Sequence, residues 1–443
     1  MQGLISKYGK FLDAVKLKKS TYKKSVEMQK NLSTDKLSKD AIKAHKKWKG
    51  KYSIELVPEI NNYYDLSLAY TPGVAAACKE IEAAPQKVFE YTRKGNLVAV
   101  ITDGTAVLGL GDIGVLGSLP VMEGKVALFK KFGGLDAIPI LVDTKDTEQF
   151  IATVKNIAQS FGGINLEDIA SPRCFQILKR LQSELDIPVF HDDQHGTAIV
   201  TLGALFNALK LVGKQLEDIN IVINGPGAAG VAIAELLLSA GAKNIIMCDE
   251  FGILHKGRLS ALGAEKLDDL KSYLTNITNL QGKVGNLTDA LKGADVFIGV
   301  SVGGIVSGDM IKQMAKQPIV FALANPIPEI LPVEAEKGGA YIVGTGRSDF
   351  KNQINNALVF PPLFRGVLNA QQKTSANIPI CTDVMLAAAL ALSKSVADTE
   401  LTREFIVPSL FNQSALDYVA GVVEKVALDR YEASVREVAL VKQ

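Results

Sequence analysis

Residues 220–249 read NIVINGPGAAGVAIAELLLSAGAKNIIMCD. Asn220 to Asn224 has strand length and is mostly β-branched. It runs directly into Gly225-Pro226-Gly227-Ala228-Ala229-Gly230. A helical stretch follows, then a second strand, NIIMC, that ends on Asp249. Strand, glycine turn, helix, strand and acid form the unit that binds a dinucleotide. The glycines admit a pyrophosphate, the helix N-terminus favours its charge, and Asp249 is placed to reach a ribose hydroxyl. The alternative is a tight turn with no ligand. Further strands at 295–301, 319–325 and 341–346, with helices in the gaps, extend the unit into a doubly wound sheet. Asn325 lies at one strand end, where its amide could touch nicotinamide or substrate. Arg347, Asn355 and Asn356 occupy comparable loop positions. The run GLGDIG (109–114) has the same glycine spacing outside that context, so it carries little weight alone.

Working upstream, residues 162–197 read GGINLEDIASPRCFQILKRLQSELDIPVFHDDQHGT. Four carboxylates gather in two knots. Glu167-Asp168 reads as the opening of a helix, with Ala170-Ser171-Pro172 as start signals and apolar residues at helical spacing after it. Asp192-Asp193 follows a short buried strand, 187–190. Adjacent carboxylates repel, so holding them together favours a cation between them. An all-oxygen donor set suits Mg²⁺ or Mn²⁺ better than Zn²⁺. The competing explanation is that both pairs simply favour helix N-termini. His191 and His195 could be ligands or orienting groups.

Between the strands at 97–102 and 138–142 lies Lys125, flanked by Val126-Ala127-Leu128-Phe129. A lysine at the start of a buried helix can be desolvated, which lowers its pKa and lets it act as a base; an ordinary surface lysine is equally compatible. Tyr70, before Thr71-Pro72, is either a cleft hydroxyl able to act as an acid or a packed core residue.

The chain has 443 residues, enough for two or three domains. A net charge of +2 gives no reason to expect nucleic acid as a partner. The four cysteines (78, 174, 248, 381) show no CxxC pairing, which argues against a disulfide framework or zinc site and fits a reducing, cytoplasmic setting. No run looks long enough to span a bilayer, and no signal peptide is apparent. The expected organisation is a Lys-rich helical extension (1–45), a substrate- and metal-binding α/β domain (46–194), a Rossmann-like domain (195–370) and a helical C-terminal segment (371–443). The apolar C-terminal helices and the extension suggest a homodimer.

In order along the chain, SLAYTPGVA, TDGTAVLGLGDIG, MEGKVALFKKFGG, GGINLEDI, PVFHDDQHGTA, GPGAAG, ANPIPE and TGRSDFKNQINN resemble the malic enzyme family, in its short form, over roughly residues 40–400. The resemblance implies a substrate domain beside a dinucleotide-binding domain, with the site in the cleft between them. It implies L-malate as substrate, NAD or NADP as cofactor, and oxidative decarboxylation to pyruvate with Mg²⁺ or Mn²⁺. Carried over, Glu167, Asp168 and Asp193 would be metal ligands, Lys125 the base with Asp192 as partner, and Tyr70 the acid. Residues 225–230 would be the nucleotide loop, and Asn325 with Asn355 or Asn356 would contact malate and nicotinamide. Asp249-Glu250 would disfavour a 2′-phosphate, tilting the choice to NAD, although Lys256 or Arg258 could pair such a phosphate. Longer members carry an Arg where this chain has Ala106; Arg347 is the candidate to replace it as the grip on the malate carboxylate. Rival functions are malolactic conversion of malate to lactate, a hydroxy-acid dehydrogenase without decarboxylation, and a non-catalytic dinucleotide sensor.

Overall fold

The computed structural model describes residue 3 and residues 34–107, 109–261 and 269–441. Most of the Lys-rich extension lies outside the described residues; its end forms a helix, Thr34–Trp48.

Two sheets organise the molecule. The first has four parallel strands, β1 (Leu97–Thr102), β2 (Asp136–Leu141), β3 (Gly163–Leu166) and β4 (Val189–His191), in the order β2-β1-β3-β4. The second has six: β5 (Asn220–Asn224), β6 (Asn244–Asp249), β7 (Gly252–Ile253), β8 (Val296–Gly299), β9 (Ile319–Ala322) and β10 (Ile342–Thr345). Their order is β10-β9-β8-β5-β6-β7, and only the β6–β7 pair is antiparallel. Parallel sheets are covered on both faces, so their strands read as continuous apolar runs, and alternate residues enter different cores. Val98 and Val100 of β1 pack in the main core, whereas Ala99 and Ile101 pack in a second. In each sheet the strand order reverses once, between β1 and β3 and between β5 and β8. Such crevices at carboxyl strand ends are where open α/β sheets place ligands.

The main core runs without a break from the first sheet to the second through the helix Thr197–Val212. Together with the turn before it, Asp192–Val212 is the one described helix long and apolar enough to cross a membrane. This departs from the expectation that no run reaches that length. Most of it is buried inside the protein, which is how a central core helix satisfies the same test.

The helix Phe360–Thr374 crosses the expected boundary at 370/371. Phe360 and Phe364 pack on Phe129 of the helix Gly114–Gly133, with ring centroids 4.8 and 5.4 Å apart. It also meets the last helix, Gln413–Val441, so closely that a Cβ on Gly366 would lie 2.5 Å from the Ala420 carbonyl oxygen. The C-terminal helices therefore clamp both sheets instead of forming a separate appendage.

Candidate active site

Glu167 and Asp168 do not open a helix. They follow the end of β3 at Leu166, and the helix starts only at Arg173. Asp192 and Asp193 follow β4 in a wide π-type turn, Asp192–Gly196, that leads into the central helix. Both knots thus hang from the ends of adjacent strands, in register at Leu166↔His191. Glu167, Asp168 and Asp193 each offer one oxygen within 4.8 Å of the others. The Asp168 N–H donates to Asp193 Oδ2 at 2.9 Å, and Asn165 Nδ2 donates to Glu167 Oε2 at 3.0 Å. An all-carboxylate set of this kind, two members buried and Asp193 partly exposed, fits a hard divalent cation. Neither histidine joins it. His191 lies with Nδ1 3.6 Å from Asp193 Oδ2. Burial holds its pKa down, and burial with His191 nearby holds His195 at about 3.

Lys125 sits inside the helix Gly114–Gly133, not at its start. Its ammonium lies 3.0 Å from Glu167 Oε1, pairs with Asp192 and rests 4.4 Å from the centroid of the Phe360 ring. Burial alone pushes its pKa down, but Asp192 and Glu167 more than reverse this and hold it above the ordinary lysine value. The expected lowered pKa is therefore overturned for the chain by itself. Glu167 belongs to both groupings, touching Lys125 with one oxygen and lying in the three-carboxylate cluster.

In the second sheet the glycines divide the work. A Cβ on Gly225 (φ +112°) would lie 2.6 Å from Val300 O, and one on Gly230 would lie 1.9 Å from Gly225 O. Only Gly227, at the start of the helix Ala228–Ala240, faces open space, which leaves room for a pyrophosphate over the helix end. Asp249 departs from expectation. Its carboxylate is fully buried, 2.5 Å from Arg258 Nη2 and 3.0 Å from Lys271 Nζ, and it also accepts from the Phe251 N–H. Cations from the two following helices already claim Oδ2, and the Phe251 N–H donates to Oδ1. Arg258 is likewise engaged, by Asp249 and by the Gly252 and Ile253 carbonyls.

Asn325 is exposed at the end of β9, and a Cβ on Gly109 of the first-sheet loop would lie 2.6 Å from its carbonyl oxygen. The turn 109–114 therefore approaches the second sheet. Asn355 caps a short turn through Ala357 N–H, whereas Asn356 abuts Gly196 beside Asp192. Arg347 is engaged on two sides. It grips both carboxylate oxygens of Asp349, and its Nη1 donates to Pro326 O at 2.7 Å.

Tyr70 is neither in a cleft nor in a core. It ends the helix Tyr63–Ala69 and is 67% exposed. Ile54, Leu56, Val57, Tyr63, Tyr64 and Leu68 on the same arm are also exposed. Two site neighbours escaped the sequence reading. Asn165 was visible as the one amide in a buried strand, but Phe360 under Lys125 had no local signal.

A glycine turn for a dinucleotide at one crevice and a lysine–carboxylate knot at the other define a dinucleotide-dependent oxidoreductase. Comparison with known proteins agrees. Residues 49–182 match the malic enzyme N-terminal domain and residues 194–428 the malic enzyme NAD-binding domain. The chain is 49% identical over 393 residues to a bifunctional malic/malolactic enzyme of Bacillus subtilis, covering 89% of this chain and 93% of that one. It is 52% identical over 363 residues to an NAD-dependent malic enzyme of Geobacillus stearothermophilus, covering 82% and 73%. The crystal structure of the NAD-dependent malic enzyme of Thermotoga maritima superposes with a TM-score of 0.82 at 45% identity, covering 87% and 99%. Other relatives are NADP-dependent malic enzymes. The chain belongs to the malic enzyme family.

Proposed function

We propose that the two crevices form one active site for oxidative decarboxylation of L-malate to pyruvate and CO2. The observation that carries this is the sharing of Glu167 between Lys125 and the three-carboxylate cluster. Glu167, Asp168 and Asp193 hold Mg²⁺ or Mn²⁺, which when bound supplies Lewis-acid stabilisation of negative charge on the substrate. A nicotinamide dinucleotide, seated over Gly227, supplies the hydride acceptor. Lys125 takes the proton of the malate C2 hydroxyl. To do so it must be neutral, and a cation held by Glu167 would withdraw one of the two carboxylates that keep it charged. Asp192 orients the lysine, and Phe360 walls it from water. Asn325 and Asn356 border the space between the sheets and contact malate and nicotinamide. Asn355 is tied to its own turn. Arg347 acts through the Asn325-Pro326 loop it holds, not as a free grip on malate.

Once hydride has passed from C2 to the nicotinamide, the C3–C4 bond breaks to release the C4 carboxylate as CO2 and leaves the enolate of pyruvate, and Tyr70 serves as the acid that protonates its C3. Its arm is too apolar to remain in water, since monomers rarely leave such patches open. A second copy of this chain covers it, and in that homodimer Tyr70 reaches an active site. NAD is the preferred dinucleotide. With Asp249 held closely by Arg258 and Lys271, Glu250, whose side chain is 66% exposed and pairs with Lys271 only at 3.9 Å, is the charge that opposes a 2′-phosphate. The four cysteines are all free thiols, which suits the cytoplasm.

The test is turnover of L-malate with Mn²⁺ and NAD or NADP. Pyruvate with stoichiometric reduced cofactor supports the proposal. Lactate without net reduction supports the malolactic reaction, which the name of the Bacillus relative makes the specific alternative. Dinucleotide binding with no turnover would support a sensor.

A further inference from the structure

Three of the central strands of the second sheet end side by side at its crevice, and a buried polar chain ties them together. Asn224, the last residue of β5, donates from Nδ2 to Ser301 Oγ at 2.7 Å. The Ser301 N–H, just beyond β8, donates to Glu329 Oε1 at 2.9 Å. The Ala324 N–H, just beyond β9, donates to Glu329 Oε2 at 3.1 Å. Glu329 is wholly buried. It fits because residue 299 is glycine: a Cβ there would lie 2.4 Å from Glu329 Cδ. Main-chain bonds from Gly304 to Pro328 and from Val306 to Glu329 pin its loop to the segment after β8.

What flanks this chain gives it meaning. Asn224 is followed at once by the glycine turn at 225–230, and Ala324 by Asn325. The β5–β8 boundary is the point where the strand order reverses. We propose that Glu329, with Ser301, is a positioning pair that sets the pyrophosphate turn at a fixed distance from the Asn325 loop. Glu329 is wholly buried and acts through the main-chain groups it holds. A buried carboxylate accepting the Ser301 and Ala324 N–H groups is well suited to this, because its two oxygens hold the segments that follow two different strands, away from competing water. Glutamine in its place would aim an amide N–H₂ at one of those donors, leaving two hydrogen-bond donors facing each other. The role rests on the proposed function only in naming Asn325 as a substrate-side contact.

The experiment compares the full chain with Glu329→Gln, Ser301→Ala and the double variant. The readouts are the Kd for reduced dinucleotide, the steady-state kcat and KM for malate, and the thermal midpoint. Positioning predicts that each single variant weakens dinucleotide binding by ~3- to 10-fold and lowers kcat by ~10-fold, since small misplacements are costly. The double variant falls no further than the worse single one, because the two residues act in one chain. Both effects persist well below the thermal midpoint, where a merely structural defect would vanish. Unchanged Kd and kcat at low temperature in a folded variant would overturn the proposal. If Glu329→Gln does not fold, Ser301→Ala decides alone. The Kd arm needs no malate turnover, so it stands even if the proposed reaction fails.

Discussion

Lys125 shows how far a single residue can be read without its neighbours. Its apolar flanks foretold burial. They could not foretell the sign of its pKa, because Asp192 and Glu167 lie far along the chain and meet it only through the β3 and β4 ends. Asp249 repeats the lesson: the strand-ending acid is where the sequence placed it, but Arg258 and Lys271 from later helices occupy it. Two predictions belong at this scale. Lys125→Ala should lower kcat by ~10²- to 10⁴-fold while dinucleotide binding persists. The same change leaves Asp192 and Glu167 buried without their cation, so it should cost about 3–5 kcal/mol of stability in metal-free protein. Added Mn²⁺ should recover part of this loss, and thermal melts with and without the ion check it. Second, Glu250→Ala should raise the ratio of kcat/KM for NADP over NAD, by ~3- to 10-fold if the lost repulsion is about 1 kcal/mol at a partly screened site. A ratio that does not move would remove Glu250 from cofactor choice.

Among elements, strands of the second sheet were legible as short β-branched runs before glycine turns, and the unit at 220–249 was legible in full. The first sheet was harder. Ser171-Pro172 looked like the start of a helix containing the acids, yet β3 extends to the very edge of Glu167 and the helix waits until Arg173. Local capping signals cannot say how long a strand continues when its partners are distant in sequence. Asn165 marks the correct answer: an amide within a buried strand needs a partner, and it finds Glu167. Asn165→Ala should leave Glu167 with one oxygen unbonded and loosen the carboxylate cluster. Loss of a supporting hydrogen bond behind a ligand typically weakens metal binding by ~10- to 100-fold. Titration with Mn²⁺, followed by the ion's own magnetic resonance signal, measures this directly, and an unchanged Kd would show that Asn165 only fills space.

The whole molecule explains what no element could. The central helix Thr197–Val212 belongs to one continuous core that reaches both sheets, and the helix Phe360–Thr374 joins that core by packing Phe360 and Phe364 on Phe129. The family was legible from ordered motifs alone, but the fate of Tyr70 was not. Motif order says nothing about which surface covers the arm. A dimer that buries this arm should sediment at twice the mass of the chain, and Leu66→Glu with Leu68→Glu should shift it toward monomer and lower activity together. A fully active monomer would contradict the role given to that surface. The account as a whole turns on the knot shared by the metal ligands and Lys125. The most direct measurement is the rate of NAD reduction with L-malate in chelator-treated protein, before and after Mn²⁺ is added back, with pyruvate assayed as product. The account predicts almost no reduction without the ion and pyruvate in step with reduced cofactor once it is restored. Malate-dependent reduction that persists undiminished in the presence of chelator would contradict it.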